Sequence, residues 1–147
     1  MAEAKELDEQ AVKTLHKALD MEALYPSLSA AQVKELFPRS GLFLYPQDAT
    51  VIQQGEMSKD LYVVCAGEVA IRQSLGMAGA EMGSLGPGEL FGEIALIRDE
   101  KRVASAVAVA DSLLFRLVED DLKALVERNQ KLAEHLKTLA EKRLYGD

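Results

Sequence analysis

Glu93 and Arg102 stand nine positions apart in the stretch Ser84 to Ala106, which reads SLGPGELFGEIALIRDEKRVASA. An arginine that runs into Val103-Ala104-Ser105-Ala106 sits oddly in a strand of small residues unless an anion partners it. Its planar guanidinium fork matches phosphate oxygens better than a lysine ammonium does. Ionised Glu93 can only accept hydrogen bonds, which suits a sugar hydroxyl. Pro87-Gly88 makes a tight turn, and Gly92 lets the backbone approach a neighbour or a ligand closely. Glu93-Ile94-Ala95-Leu96 favours one helical turn, whose first backbone N–H groups lack partners and attract an anion. Together these features describe a pocket for a sugar phosphate carrying one negative charge. The alternative is a structural arginine paired to Glu93 or Asp99 in a β-roll without a ligand.

Other chemistries find no support. The single cysteine, Cys65, lies in the apolar run Leu61 to Cys65, so no disulfide forms within the chain and a small buried hydrophobe is expected. His16 and His135 are far apart with no second ligand at metal spacing, so neither a metal nor a cofactor is expected. No Ser-His-Asp or Cys-His order and no GxxxxGK phosphate loop occurs, and an enzyme is not expected. The formal charge of −7 and the lack of clustered Lys and Arg argue against a nucleic-acid surface. The chain stops soon after its last helical segment, so no helix-turn-helix is expected beyond it. No run of 18 apolar residues and no secretory leader pattern occurs, which predicts no membrane partner and a cytoplasmic location.

The elements that must position this segment follow from periodicity. Leu7, Ala11, Leu15, Ala18 and Leu19 recur at helical steps, in a region closed by Pro26. Ser29 and Gln32 form a capping box, with Leu28 and Val33 as its hydrophobic staple, for a short helix that stops before Pro38. From Gly41 the period changes. Short stretches at 41–45, 49–53, 60–65, 68–72, 80–85, 103–109 and 112–117 are rich in β-branched or aromatic residues and are separated by turn residues. Leucines return at helical spacing from Glu119 to Leu144, where Asn129 is a plausible cap between two helices. The expected architecture is a single domain, mainly β with flanking helices. Residues 1–40 are N-terminal helices, 41–117 a jelly-roll β-sandwich of about eight strands, and 118–147 C-terminal helices.

The stretch LGPGELFGEIAL, followed by KRVASAVA, resembles the phosphate-binding cassette of the cyclic-nucleotide-binding domain family. The upstream run from Gln54 to Val69 resembles that family's second and third strands, and Glu127 to Ala133 the junction before its last helix. The resemblance implies a ligand site at Gly92, Glu93, Ile94, Ala95, Arg102, Val103 and Ser105. Glu93 would bind the ribose 2′-hydroxyl, Arg102 and the N–H groups of Ile94 and Ala95 the cyclic phosphate, with Ser105 beside it. Family members that prefer cyclic GMP often carry a hydroxyl where this chain has Val103, so cyclic AMP is the expected ligand and cyclic GMP the less favoured one. Two departures stand out. The loop Ile97 to Lys101 lacks the usual glycine and proline and carries Asp99 and Glu100, expected to face water, and Val118 replaces a capping Ser or Thr. The implied function is a stand-alone sensor that signals through its C-terminal helix to an effector protein, with a homodimer through that helix a further expectation. Leu136, Leu139 and Tyr145 are candidate lids over the base. The alternatives are a ligand-independent dimerisation or interaction module, or the regulatory piece of a longer enzyme, channel or regulator.

Overall fold

The computed structural model describes residues 2–22, 24–75, 78–96 and 101–145; the side chains of residues 75, 78–81, 95, 96, 144 and 145 lie outside that description. Nine strands and four α-helices are found among the described residues. A short strand β1 (Glu3–Lys5) precedes helices α1 (Glu9–Ala18) and α2 (Ala30–Leu36). The strands β2 (Gly41–Tyr45), β3 (Thr50–Ile52), β4 (Leu61–Ala66), β5 (Val69–Leu75), β6 (Ala78–Leu85) and β7 (Leu90–Phe91) follow. A single 3₁₀ turn (Glu93–Leu96) leads to β8 (Ser105–Ala108) and β9 (Ser112–Leu117), and α3 (Glu119–Arg128) and α4 (Gln130–Tyr145) end the chain.

The strands form two antiparallel sheets, ordered β1-β2-β9-β4-β7 and β3-β8-β5-β6. Strand alternation explains why the first sheet is buried on both faces. Tyr62 and Val64 of β4, with Leu114 of β9, pack against Ile52, Val69, Leu85 and Ala106 of the second sheet. Leu61, Val63 and Cys65, with Phe115 and Leu117, face the other way and pack under the helices. A strand covered on both sides reads as a continuous apolar run, which is what Leu61 to Cys65 is. The mainly β sandwich with helices at both chain ends is therefore as expected, but β1 and β7 were not. Glu3–Lys5 lies in the segment read as wholly helical; its side chains are exposed, so no burial pattern marks it. Leu90–Phe91 is too short to show a period.

Three helix boundaries have local causes. The capping box is present in both directions at Ser29 and Gln32, and α2 ends at Leu36, before Pro38. By contrast α1 stops at Ala18, well before Pro26, because Asp20 takes a left-handed φ of +48° that turns the chain out of the helix. Between α3 and α4, Asn129 Oδ1 accepts from the N–H of Leu132 at 3.1 Å while its Nδ2 donates to the carbonyl of Asp20 at 3.3 Å. Leu122, Leu125, Leu132 and Leu136 are buried in the core beneath the helices, so the leucine stripe packs back onto the sandwich of its own chain.

Candidate functional site

A cavity of about 510 Å³ opens between the second sheet, the β7 end with its 3₁₀ turn, and the last turn of α4. It lies within the size range of small-ligand pockets. Gly92, Glu93, Ile94, Arg102, Val103 and Ser105 all line it. Ala95 belongs to the same 3₁₀ turn, with its side chain outside the described residues. Residues 97–100, including Asp99 and Glu100, also lie outside them, so the expectation that those carboxylates face water is not addressed.

Local geometry fixes each charged group. Phe91 is clamped by Tyr62, the two rings stacked at 5.1 Å and 8°. Gly92 follows with φ +99°, and a Cβ there would stand 2.6 Å from the carbonyl oxygen of Asp60. Only glycine fits this position. Its carbonyl accepts from Arg102 Nη1 at 3.1 Å, while Arg102 Nη2 donates to the carbonyl of Asp60 at 2.8 Å and Nε to Ser58 Oγ at 3.0 Å. Arg102 is only 8% exposed. Burial pulls its guanidinium below the ordinary value, against the opposing pull of Tyr62, Glu56, Asp60 and Glu93, and arginine remains charged throughout the neutral range. Its backbone is held too. The Arg102 N–H donates to the carbonyl of Glu56 at 2.8 Å, and its carbonyl accepts from Gly55 at 2.9 Å. Ser105 Oγ accepts from the N–H of Gln54 at 2.8 Å.

Glu93 is 1% exposed, and a carboxylate that deep requires a counter-charge. Among the described residues, neither Arg102 nor any other residue of the cassette supplies it as a bonded partner. Arg143, in the last turn of α4, forms the ion pair with Glu93 and also donates to the carbonyl of Leu90 at 2.8 Å. The alternative of an Arg102–Glu93 pair is therefore not found among the described residues, and Asp99, the other partner it named, lies outside them. The lid expectation also changes. Leu136 is fully buried in the core, Leu139 packs against it, and the Tyr145 side chain lies outside the described residues, whereas Arg143 reaches the cavity.

Sequence reasoning missed Arg143, the Ser58, Asp60 and Gln54 contacts, and the cavity-lining Gln73. Arg143 looked like an ordinary basic residue in the last turn of an amphipathic helix, where it complements the helix dipole. Ser58 and Asp60 lie in a loop more than forty residues before Arg102, and only folding brings them together. Among the described residues no group of three or more His, Cys, Asp or Glu could hold a metal ion, and no helix is long and apolar enough to cross a membrane.

The arrangement lines one cavity with a buried carboxylate and a buried guanidinium, a chemistry suited to an anion beside a hydroxyl, and comparisons with known proteins point to a family. The family model described as "Cyclic nucleotide-binding domain" matches residues 42–129. The cyclic AMP receptor protein of Thermus thermophilus is 42% identical over 69% of this chain and 47% of its own length. The crystal structure of the Thermus thermophilus catabolite activator protein superposes with a TM-score of 0.67 at 37% identity, covering 82% of this chain and 57% of that one. The regulatory domain of Toxoplasma gondii PKA, solved with cAMP, gives 0.64 at 25% identity over 81% and 46%. The chain thus spans about half the length of these relatives. A family model that covers most of the chain, a sandwich of matching topology and a charged cassette lining its cavity lead to one conclusion: this chain belongs to the cyclic nucleotide-binding domain family.

Proposed function

We propose that the domain is a sensor that binds cyclic AMP in this cavity without transforming it. The observation that carries the reading is a buried carboxylate, Glu93, and a buried guanidinium, Arg102, lining one cavity beside the apolar side chains of Ile52, Ile71, Leu85 and Phe91. Glu93 accepts from the ribose 2′-hydroxyl. Arg102 has five N–H donors, of which three are bonded among the described residues, and the other two turn to the cyclic phosphate. The N–H groups of Ile94 and Ala95 cap the same phosphate. Ser105 Oγ accepts from Gln54, which leaves its hydroxyl hydrogen to donate to the ligand. Val103 has no hydroxyl to meet guanine, so cyclic GMP binds less tightly. No metal or cofactor is needed, because no bond is made or broken.

Signalling follows from Arg143. The ribose hydroxyl and Arg143 address the same Glu93 carboxylate, so occupancy biases how α4 sits. A ligand shifts that balance only by its differential affinity for the two helix positions. The output passes to an effector protein, with pairing of two copies through the outer face of α4, in the cytoplasm and without DNA or membrane contact. The chain spans about half the length of the relatives reported above, which favours the variant of this reading in which the domain regulates a longer protein.

A ligand-independent module on the same fold is favoured by one observation: Arg102 and Glu93 already have partners within the chain. Thermal unfolding separates the two. At about 100 times its dissociation constant, cyclic AMP stabilises the native state by roughly 2.7 kcal/mol. Arg102→Ala, judged against its own melting curve because it also frees two carbonyls, loses that increment. No shift with either cyclic AMP or cyclic GMP would leave only the interaction module standing.

A further inference from the structure

Gln73 follows Ile71 by two residues on β5, so both side chains stand on the same face of the strand, and both line the cavity. The β5–β8 register sets Ile71 opposite Ala106 and Arg72 opposite Ser105, so Gln73 comes next along β5, level with the approach to β8. There Gln73 Nε2 donates to the carbonyl of Val103 at 3.1 Å. That contact fixes the amide. A carbonyl oxygen can only accept, so the nitrogen end must face Val103 and the oxygen end must turn away from it. Among the described residues no donor is bonded to Gln73 Oε1. The anchors for phosphate and sugar belong to the other wall, where Arg102 is tied to Gly92 and Asp60 and Glu93 opens the 3₁₀ turn. The second sheet, with Ile71 and Gln73, forms the wall that a base extending from those anchors would meet.

We propose that Gln73 is a specificity-determining residue, its Oε1 accepting a hydrogen bond from the 6-amino group of adenine. The assignment rests on the reading of the cavity as a cyclic-nucleotide site. Val103 and Gln73 then act as one unit. The Val103 carbonyl orients the amide, and the amide presents an acceptor that favours a purine with a donor at position 6 over one with a carbonyl there. On that wall Ile71 and the neighbouring Ala106 contribute apolar contact.

Calorimetric titration compares cyclic AMP with cyclic purine-riboside monophosphate, which differs only in carrying hydrogen in place of the 6-amino group. The wild-type protein is expected to bind cyclic AMP several-fold to about tenfold more tightly, the range of one net hydrogen bond. Gln73→Met and Gln73→Leu, each checked by its melting curve, bring that ratio to about one. A ratio near one in the wild-type protein overturns the assignment without any variant, and so does a preference that survives in both variants. Failure of the folded wild-type protein to bind either nucleotide is a different result: it removes the sensor reading itself, and the assignment with it.

Discussion

Arg102 and Cys65 illustrate how burial sets the chemistry of single side chains. Arg102 tolerates its depth because three oxygens face its fork, two of them backbone carbonyls. It is therefore a structural tie between β7 and the start of β4 as well as a candidate phosphate partner. Cys65 is compensated more weakly, its thiol donating to the carbonyl of Val63 at 3.9 Å. Burial pushes its thiol up to about 11, with the charge of Asp8 raising it further and the backbone at Phe115 opposing. The neutral thiol is the form the folded protein prefers, while the unfolded chain ionises near the ordinary cysteine value of about 8.5. The folded state thus holds a proton that the unfolded state has lost, and stability must fall as pH rises from about 9 to about 11. The loss reaches on the order of 3 kcal/mol at the top of that window. Urea unfolding of the wild-type and Cys65→Ala proteins at pH 8 and pH 10.5 checks this: the variant should lack that part of the decline, and parallel declines would contradict it.

At the scale of elements, α3 is the instructive case. Its N-cap position is Val118, which makes no side-chain cap bond, a loss worth about 1 kcal/mol at most when nothing replaces it. The fold supplies the cap from elsewhere. Ser40 Oγ accepts from the N–H of Val118 at 3.0 Å and donates to Asp121 Oδ2 at 2.6 Å, and Asp60 Oδ1 accepts from the N–H of Glu119 at 3.1 Å. Ser40→Ala should lower stability by about 1–2 kcal/mol, the cost of losing a cap and leaving buried Asp121 short of a donor. In denaturant titration the midpoint should drop with an unchanged slope; an unaltered midpoint would mean that Asp60 and water suffice. Asp60 has a second role, since its carboxylate also pairs with Arg116 at 2.8 Å and its carbonyl receives Arg102. The start of α3 is thereby tied through one residue to the cassette arginine.

For the whole molecule, the Glu93–Arg143 pair joins the sandwich to the final helix across fifty residues of sequence. It is a charged link between the cavity and α4, which Leu132, Leu136 and Ala140 also anchor as fully buried apolar side chains. Hydrogen exchange across α4 should therefore change when cyclic AMP is added, most in the last turn around Arg143. In Arg143→Ala that change should largely vanish while cyclic AMP still binds. Exchange in α4 that ignores ligand in the wild-type protein would disconnect the helix from the site. The variant should also melt earlier, because Glu93 then remains buried without its counter-charge.

Sequence alone determined the layers and the cassette, since both rest on local information. The continuous apolar run of β4, the capping box at Ser29, the Asn129 break and the Gly92-Glu93 turn are each written within a few residues. The cavity residues were legible for the same reason: Glu93, Arg102, Val103 and Ser105 share one short segment. What those residues touch was decided only by tertiary structure. Arg143 reaches Glu93, Ser58 and Asp60 hold Arg102, Ser40 caps α3 and Gln73 meets Val103 across separations that no periodicity encodes. A buried charge requires a partner, but its own neighbourhood in sequence does not say which of many exposed-looking polar residues will be folded against it.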